Sequence, residues 1–313
     1  VAFFLVKRLA AMVATLVATS LAVFGSLYLA PGDPATFLMR GRPVTPETLA
    51  AIRAQYHLDD PFAVQYAKWL GDALTGDFGR SVQFRQDVGG LIASRLPTTL
   101  WLVAYAALLI LVAGLALGAV AALRRGAADR IVLIGTGMAT ATPAFVAAIG
   151  LISVFSVKLH WFPAFGNGSG FGGRISHLTL PAIALALTFA GLLARVTRSA
   201  MLEELAREHV EVARSRGVPG ATVVRRHVLR NSLGPISTVT GTVVAGLLVS
   251  TSIVETAFGL SGVGQLLVSS VTVKDFPVVQ AVSLLVVFAF VAANLLVDLL
   301  QPLIDPRVKG AAR

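Results

Sequence analysis

The side chains able to do chemistry in this sequence are few, and their spacing suits neither catalysis nor metal binding. The five histidines are His57, His160, His177, His209 and His227. A zinc hydrolase would need two of them four apart on one helix around a glutamate, and no pair has that spacing. On the topology derived below they also divide between opposite faces of a membrane, so a shared metal site is not expected. There is no cysteine, which removes disulfides, thiolate nucleophiles and cysteine-bound metals together. No GxxxxGK[ST] stretch occurs, so the chain is not expected to hydrolyse nucleotide by itself. The glycine-rich segment HWFPAFGNGSGFGGRISHL (160–178) lacks the Lys and Ser or Thr of a phosphate cradle and reads as a flexible external loop. Glu203 and Glu204 form a carboxylate pair, but in a charged surface stretch where solvation accounts for them. No enzyme and no cofactor within this chain is the expectation.

One stretch stands out instead. Residues 201–235, MLEELAREHVEVARSRGVPGATVVRRHVLRNSLGP, form the one long charge-rich segment in the C-terminal two-thirds of the chain. Arg207, Arg214, Arg216, Arg225, Arg226 and Arg230 punctuate it, with Glu203, Glu204, Glu208 and Glu211 in its first half. Gly217, Pro219 and Gly220 divide it into two short helical pieces joined by a turn. A bent polar hairpin between two apolar runs has the character of a docking surface.

The elements that position this hairpin follow from composition. The chain of 313 residues is 56% hydrophobic and 13% charged, against about 25% charged for a soluble domain, so it is a polytopic membrane protein. Apolar runs at 9–30, 96–123, 131–157, 178–194, 233–254 and 277–297 suit about six helical spans of about 20 residues each. The fourth is the shortest. The net charge of +10 fits basic residues collecting on the cytoplasmic side of a membrane protein, and nucleic acid is not an expected partner. Lys7, Arg8, Arg124, Arg125, Arg130, the arginines of 195–232, Arg307, Lys309 and Arg313 then face the cytoplasm, with both termini inside. The first helix reads as a retained anchor, not a cleaved signal.

The external segment 31–95 opens with PGDP at 31–34 and holds two helices. One lies in 44–58, capped by Thr45 with Pro46 and Glu47 following; the other lies in 59–79, begun by Asp60-Pro61 and stopped by Gly76. It is either a small cap on the membrane domain or an ordinary packed loop. In the fifth span Thr238, Thr242, Gly246 and Ser250 recur every four residues on one helical stripe. They form either one wall of a hydrated path or a close helix contact through small residues. Glu255 and Asp298 are ionisable groups near membrane depth, either functional or paired or simply interfacial.

Within 201–235, Glu211, Ala213, Gly217 and Leu229 resemble the EAA loop of ABC importer permeases, while Val212, His227 and Arg230 depart from its general form. RHVLRNSLGP is similar to the version of the loop in the peptide-transporting branch. The opening helix through Pro31-Gly32-Asp33-Pro34 resembles dipeptide and oligopeptide permeases. So do Leu58, Asp59, Pro61, Gln65, Tyr66, Trp69, Gly76, Asp77, Gly79 and Ser81, although His57 stands where a glycine is usual. RLPTTLWL (95–102), TPAF (142–145), ETAFGLSGVGQLL (255–267), KDFPVVQA (274–281) and DPRV (305–308) extend the likeness over nearly the whole chain, with Ser261 and Gln265 replacing a proline and an arginine.

The resemblance implies an all-α integral membrane fold: an N-terminal transmembrane helix (1–30), an extracytoplasmic helical segment (31–95) and a permease core (96–313) carrying the coupling loop 201–235. It implies the transmembrane subunit of an ATP-driven importer in the bacterial inner membrane, forming half of a path for short peptides. Haem, a nickel chelate or glutathione are alternative cargoes. The implied partners are a second homologous permease, one or two ABC ATPase subunits that hold ATP and magnesium, an extracytoplasmic binding protein and the lipid bilayer. Coupling falls to Glu211, Ala213, Arg214, Gly217, Arg225 and Leu229, with Glu211 opposite an ATPase arginine. The path falls to Thr238, Thr242, Ser250 and Glu255. An ATP-independent secondary transporter is the competing class, against which stand the lack of an inverted repeat and of an intramembrane acid pair.

Overall fold

A computed structural model describes residues 2–29, 45–55 and 58–304. The PGDP segment at 31–34, His57 and the DPRV ending at 305–308 lie outside them. The helices in chain order are α1 (Ala2–Leu29), α2 (Pro46–Gln55), α3 (Phe62–Thr75), α4 (Val88–Leu123), α5 (Ala127–Ala141), α6 (Ala144–Lys158), α7 (Gly170–Leu205), α8 (Glu208–Ser215), α9 (Gly220–Ala257), α10 (Val263–Thr272) and α11 (Phe276–Ile304). Among the described residues the one strand-like pairing is an isolated antiparallel bridge between Arg80 and Asp87.

Among the described residues, five helices are long and apolar enough to cross a membrane: Val6–Ser26 of α1, α4, α7, α9 and Phe276–Val297 of α11. A sixth crossing requires α5 and α6 together, and these meet at 100°. The unbroken third span expected over 131–157 is therefore corrected. Thr142 takes φ −79° and ψ 120°, the extended geometry favoured before proline. Pro143 then brings no N–H to continue the ladder. Pro97, Pro181 and Pro235 sit inside α4, α7 and α9 without ending them.

The fourth span is not the shortest. α7 has 36 residues, about 54 Å at 1.5 Å per residue. It takes in the second half of the glycine-rich segment, where His177 Nδ1 lies 2.8 Å from the Gly173 carbonyl oxygen, so only the first half of that segment is loop. At its other end it absorbs residues 195–205.

The helices gather into two compact units. The first comprises the chain up to Leu100 with Gly259–Val291. Its α2 begins with a reciprocal cap: the Thr48 N–H donates to Thr45 Oγ1 at 3.2 Å and the Thr45 N–H to Thr48 Oγ1 at 3.0 Å. α3 starts after Pro61, whose carbonyl accepts from the Val64 and Gln65 N–H groups, and stops at Gly76 with φ +87°. Both ends match the sequence expectation. α3 is fastened to α1 by aromatic packing: Phe24 sits 5.4 Å from Phe62, 5.7 Å from Tyr66 and 5.4 Å from Trp69, centroid to centroid. Ser20 and Tyr66 share a hydrogen bond of 2.7 Å. Buried Gln65 accepts from the Tyr28 hydroxyl and donates to the Leu58 and Asp60 carbonyls at 3.1 and 2.8 Å.

A second core in this unit joins Val88, Leu91 and Ile92 of α4 to Val263 and Leu266 of α10 and Val278, Ala281 and Val282 of α11. Its polar clasp is Asp275, which is 1% exposed. Its carboxylate accepts from the Ser81 hydroxyl at 2.5 Å and from the Val82 and Gln83 N–H groups at 3.2 and 3.1 Å. Thr99 Oγ1 accepts from the Val263 N–H at 2.9 Å, and Arg95 donates to Gln265 at 2.7 Å. With 10 residues, α10 is about 15 Å long, half of what a span needs.

The second unit comprises Trp101–Phe258 with the chain from Ala292. α7 is its centre, with Leu178, Leu180, Leu185, Leu193 and Met201 fully buried. Glycines on its neighbours set the approach distance. A Cβ on Gly118 would fall 2.6 Å from the Ala194 carbonyl oxygen, and one on Gly114 would fall 2.8 Å from the Leu193 side chain. On α7 itself, a Cβ on Gly191 would fall 2.6 Å from the Thr136 carbonyl oxygen. Small residues at such crossings let backbones touch where lipid supplies no hydrophobic drive.

Candidate functional site

The charged stretch 201–235 folds as a corner of the second unit. Its first residues belong to the end of α7, α8 is a short crosspiece, and its last residues are the first turns of α9. The expected second arm is therefore corrected: it is continuous with the fifth span, α9, which runs 38 residues from Gly220 to Ala257. Within α9 the backbone widens to i→i+5 hydrogen bonding over Val223–Leu229.

An eight-residue helix is marginal in water on its own, so tertiary contacts must hold α8. Val210 (fully buried) and Ala213 turn into a core with Ala122, Met201, Val223 and Val228, against which Leu229 and Val218 also pack. Burying a side chain such as Val210 contributes about 2 kcal/mol. Glu208 and Glu211 lie in the first turn and Arg214 in the last, each on the end of the helix dipole that stabilises it.

The far end of α8 closes through Gly217, at φ +75°. The Val218 N–H reaches back to the Ala213 carbonyl at 3.1 Å and the Gly217 N–H to the Arg214 carbonyl at 2.9 Å. Those two bonds are the Schellman pattern, which requires a left-handed residue at this position. The glycine singled out in the sequence is thus needed for its backbone. Pro219 then opens α9, its carbonyl accepting from the Thr222 and Val223 N–H groups.

The near end is clamped by a carboxylate that sequence reasoning treated as solvated. Glu203 is exposed, but Glu204 is 6% exposed, and its Oε1 forms an ion pair with Arg207 Nε at 3.2 Å. Glu204 Oε2 lies 3.5 Å from His209 Nε2, too long for a good hydrogen bond. That His209 nitrogen stands 3.3 Å from the Asn231 amide of α9. The i,i+3 spacing of Glu204 and Arg207 was the available signal. Deeper in the unit, Arg198 of α7 forks onto Asp129 of α5 at 2.6 and 2.7 Å. His209 and His227 have ring centres 6.3 Å apart, and among the described residues no three His, Asp or Glu side chains converge as a metal would require.

The six residues expected to couple divide into two sets. Glu211, Arg214, Gly217 and Arg225 are exposed, with Val212 at 39% beside Glu211. Ala213 and Leu229 face the core instead and carry the packing that holds α8 in place. The exposed face therefore offers an acid, an apolar side chain and guanidinium groups on a rigid mount.

The four expected path residues are not brought together. Thr238 and Thr242 are exposed and donate back to the Gly234 and Thr238 carbonyls, both at 3.2 Å. Ser250 is half-buried and stands about 18 Å along the helix axis from Thr238. A Cβ on Gly246, on the same stripe, would fall 3.5 Å from the Phe189 ring, so that part of the stripe is a helix contact. Glu255 is fully buried.

Residues 114–310 match the family described as binding-protein-dependent transport system inner membrane component, and residues 1–103 match the N-terminal part of such components. A Brucella abortus (strain 2308) protein named as a peptide transport system permease is 38% identical, over 97% of this chain and 98% of its own length. A glutathione transport system permease of Salmonella paratyphi A is 36% identical, over 98% of each. In fold, the chain is similar to an inward-facing methionine ABC transporter, with TM-score 0.57 and 18% identity over 68% of this chain and 96% of that one.

Proposed function

Because the chain belongs to the family of binding-protein-dependent transport system inner membrane components, we propose that it is one of two permease subunits of an ATP-driven importer of short peptides. It lies in the bacterial inner membrane with both termini in the cytoplasm, and residues 31–95 form the extracytoplasmic segment. The observation that carries this reading is α8: a short helix closed by Gly217, mounted on the ends of two spans, with its acidic and apolar face open. ATPase subunits bind that face, Glu211 meets an arginine of theirs, and Arg214 and Arg225 meet acids. Glutathione, the cargo in the Salmonella relative's name, and haem or a nickel chelate are alternative substrates.

The mechanics follow from the packing. ATP-driven closure of the partners pushes α8, which cannot slide because Val210 and Ala213 are keyed into α7 and α9. The push therefore tilts both spans, and the Arg198–Asp129 fork carries it from α7 to α5, a shear change of packed helices. Thr238 and Thr242, on the exposed side of α9, line the half-path completed by the second permease. Cargo meets hydroxyls and water there, since a fixed charge at a span centre costs about 2.5–3.5 kcal/mol.

The test is ATP hydrolysis by the complex that copurifies with this chain, reconstituted with its binding protein and offered peptides of increasing length, glutathione, haem or a nickel chelate. Stimulation by short peptides is expected. Stimulation by one of the other cargoes alone overturns the substrate, and absence of a copurifying ATPase overturns the reading of α8. Glu211→Arg is expected to abolish stimulated hydrolysis at unchanged expression.

A further inference from the structure

Beside α8 lies a basic recess that the coupling role does not use up. Ala221, Thr222, Arg225, Arg226 and Arg230 of α9 line a surface hollow of about 510 Å³. At 3.6 residues per turn, Arg225 and Arg230 would stand about 140° apart around a helix; the i→i+5 widening over Val223–Leu229 narrows that angle and lets both guanidiniums share one hollow. Arg225, Arg226 and Arg230 have no ion-pair or hydrogen-bond partner among the described residues. Three uncompensated cations in one concavity repel one another, and an anion that enters removes that repulsion.

Position selects among anions. The apolar run of α9 begins at residue 233, about 5 Å along the axis from Arg230 and about 10 Å from Arg226. The headgroup layer of a bilayer is about 5–7 Å deep on each side. Arg230 therefore sits at headgroup level, with the recess just above it. One turn on from Arg230, Leu233 is 37% exposed, so charge passes into apolar surface along one side of the helix. A molecule that is phosphate at one end and hydrocarbon at the other matches that sequence of chemistries, and the guanidinium fork suits phosphate oxygens.

We propose that Arg226 and Arg230 in this recess bind the phosphodiester headgroup of an acidic phospholipid, whose acyl chains run down past Leu233, while Arg225 at its rim stays with the ATPase. The inference rests on the orientation given under the proposed function, which places this end of α9 in the cytoplasmic leaflet, where anionic lipid draws juxtamembrane basic residues. The bound lipid shields the arginines and steadies the start of α9 where α8 pushes on it.

The assembled importer, purified with its ATPase, is reconstituted in nanodiscs of phosphatidylcholine alone or mixed with phosphatidylglycerol, and the lipid retained on release is counted by native mass spectrometry. Wild type is expected to retain phosphatidylglycerol in preference to phosphatidylcholine. Arg226→Gln with Arg230→Gln is expected to weaken that retention about 25-fold, fivefold for each arginine, as about 1 kcal/mol per juxtamembrane cation implies. The Arg226→Lys, Arg230→Lys pair, which keeps charge and loses the fork, falls between and covers the case in which the glutamine pair does not assemble. Lys68→Gln is expected to change nothing. Equal retention by wild type and the glutamine pair overturns the proposal. So does displacement of the lipid by excess glycerol phosphate, which would mean a soluble phosphate ligand. Loss of the ATPase from the variant with lipid retention unchanged overturns it in favour of an acidic protein partner. Arginine-dependent retention by a wild-type chain that brings down no ATPase would uphold the lipid site and sink the function proposed above.

Discussion

Replacing Gly217 isolates the part of the coupling surface that depends on backbone geometry alone. Its φ is +75°, and a Cβ built there meets nothing within 4 Å. Any cost of substitution therefore comes from the left-handed conformation, not from a clash. An ordinary L-residue in that region costs about 1–2 kcal/mol, and asparagine less, because it visits the region more readily. Proline fixes φ near −65° and removes the N–H that bonds the Arg214 carbonyl, so it costs about 3 kcal/mol or more. The opposing hold on α8 is of the same order, about 2 kcal/mol from Val210 plus the two capping bonds at about 1 kcal/mol each. Gly217→Asn is then expected to leave α8 docked, Gly217→Ala to raise its undocked population about fivefold, and Gly217→Pro to undock it largely. Trypsin cleavage after Arg214, an exposed residue, reads that population in nanodisc-embedded chain as long as reclosing outpaces cleavage. Substrate-stimulated ATP hydrolysis of the assembled importer is expected to fall in the same order. Equal cleavage for alanine and glycine, or asparagine as damaging as proline, would refute the backbone argument; leucine much worse than alanine would show that side-chain space matters after all.

Three further substitutions test the packing behind that surface. Gly118→Val drives methyl groups toward the Ala194 carbonyl and is expected to separate α4 from α7 at about 3 kcal/mol or more, read as a lower melting temperature by intrinsic fluorescence. Asp275→Ala leaves the Ser81 hydroxyl and the Val82 and Gln83 N–H groups without their acceptor; a loss of about 3 kcal/mol is expected, with faster amide exchange at 82 and 83. Asp129→Asn and Arg198→Gln are each expected to lower the melting temperature, and in a double-mutant cycle the second substitution is expected to add little to the first, because both break the same fork.

What could be read from the chain without coordinates was local. The apolar runs announced the spans, since lipid leaves an uncharged segment of that length no alternative to a helix. Thr45, Pro61, Gly76 and Gly217 marked helix ends through bonds that close within a few residues, so their chemistry is visible in the sequence around them. Only tertiary structure chose among residues with the same local chemistry. Pro97, Pro143, Pro181 and Pro235 all interrupt apolar runs, yet one breaks its helix and three do not. Within one charged stretch Glu203 and Glu204 are neighbours, and it is the packing of α7 beside α8 and α9 that exposes the first and buries the second. Ala213 and Glu211 belong to one motif, but the core of Met201, Val223 and Val228 turns the first inward and leaves the second outside. Asp275 finds Ser81 at a separation of 194 residues. Helical period and capping reach only a few residues along the chain, so a sequence determines which segments are helices; which of their side chains meet is decided by packing between segments far apart.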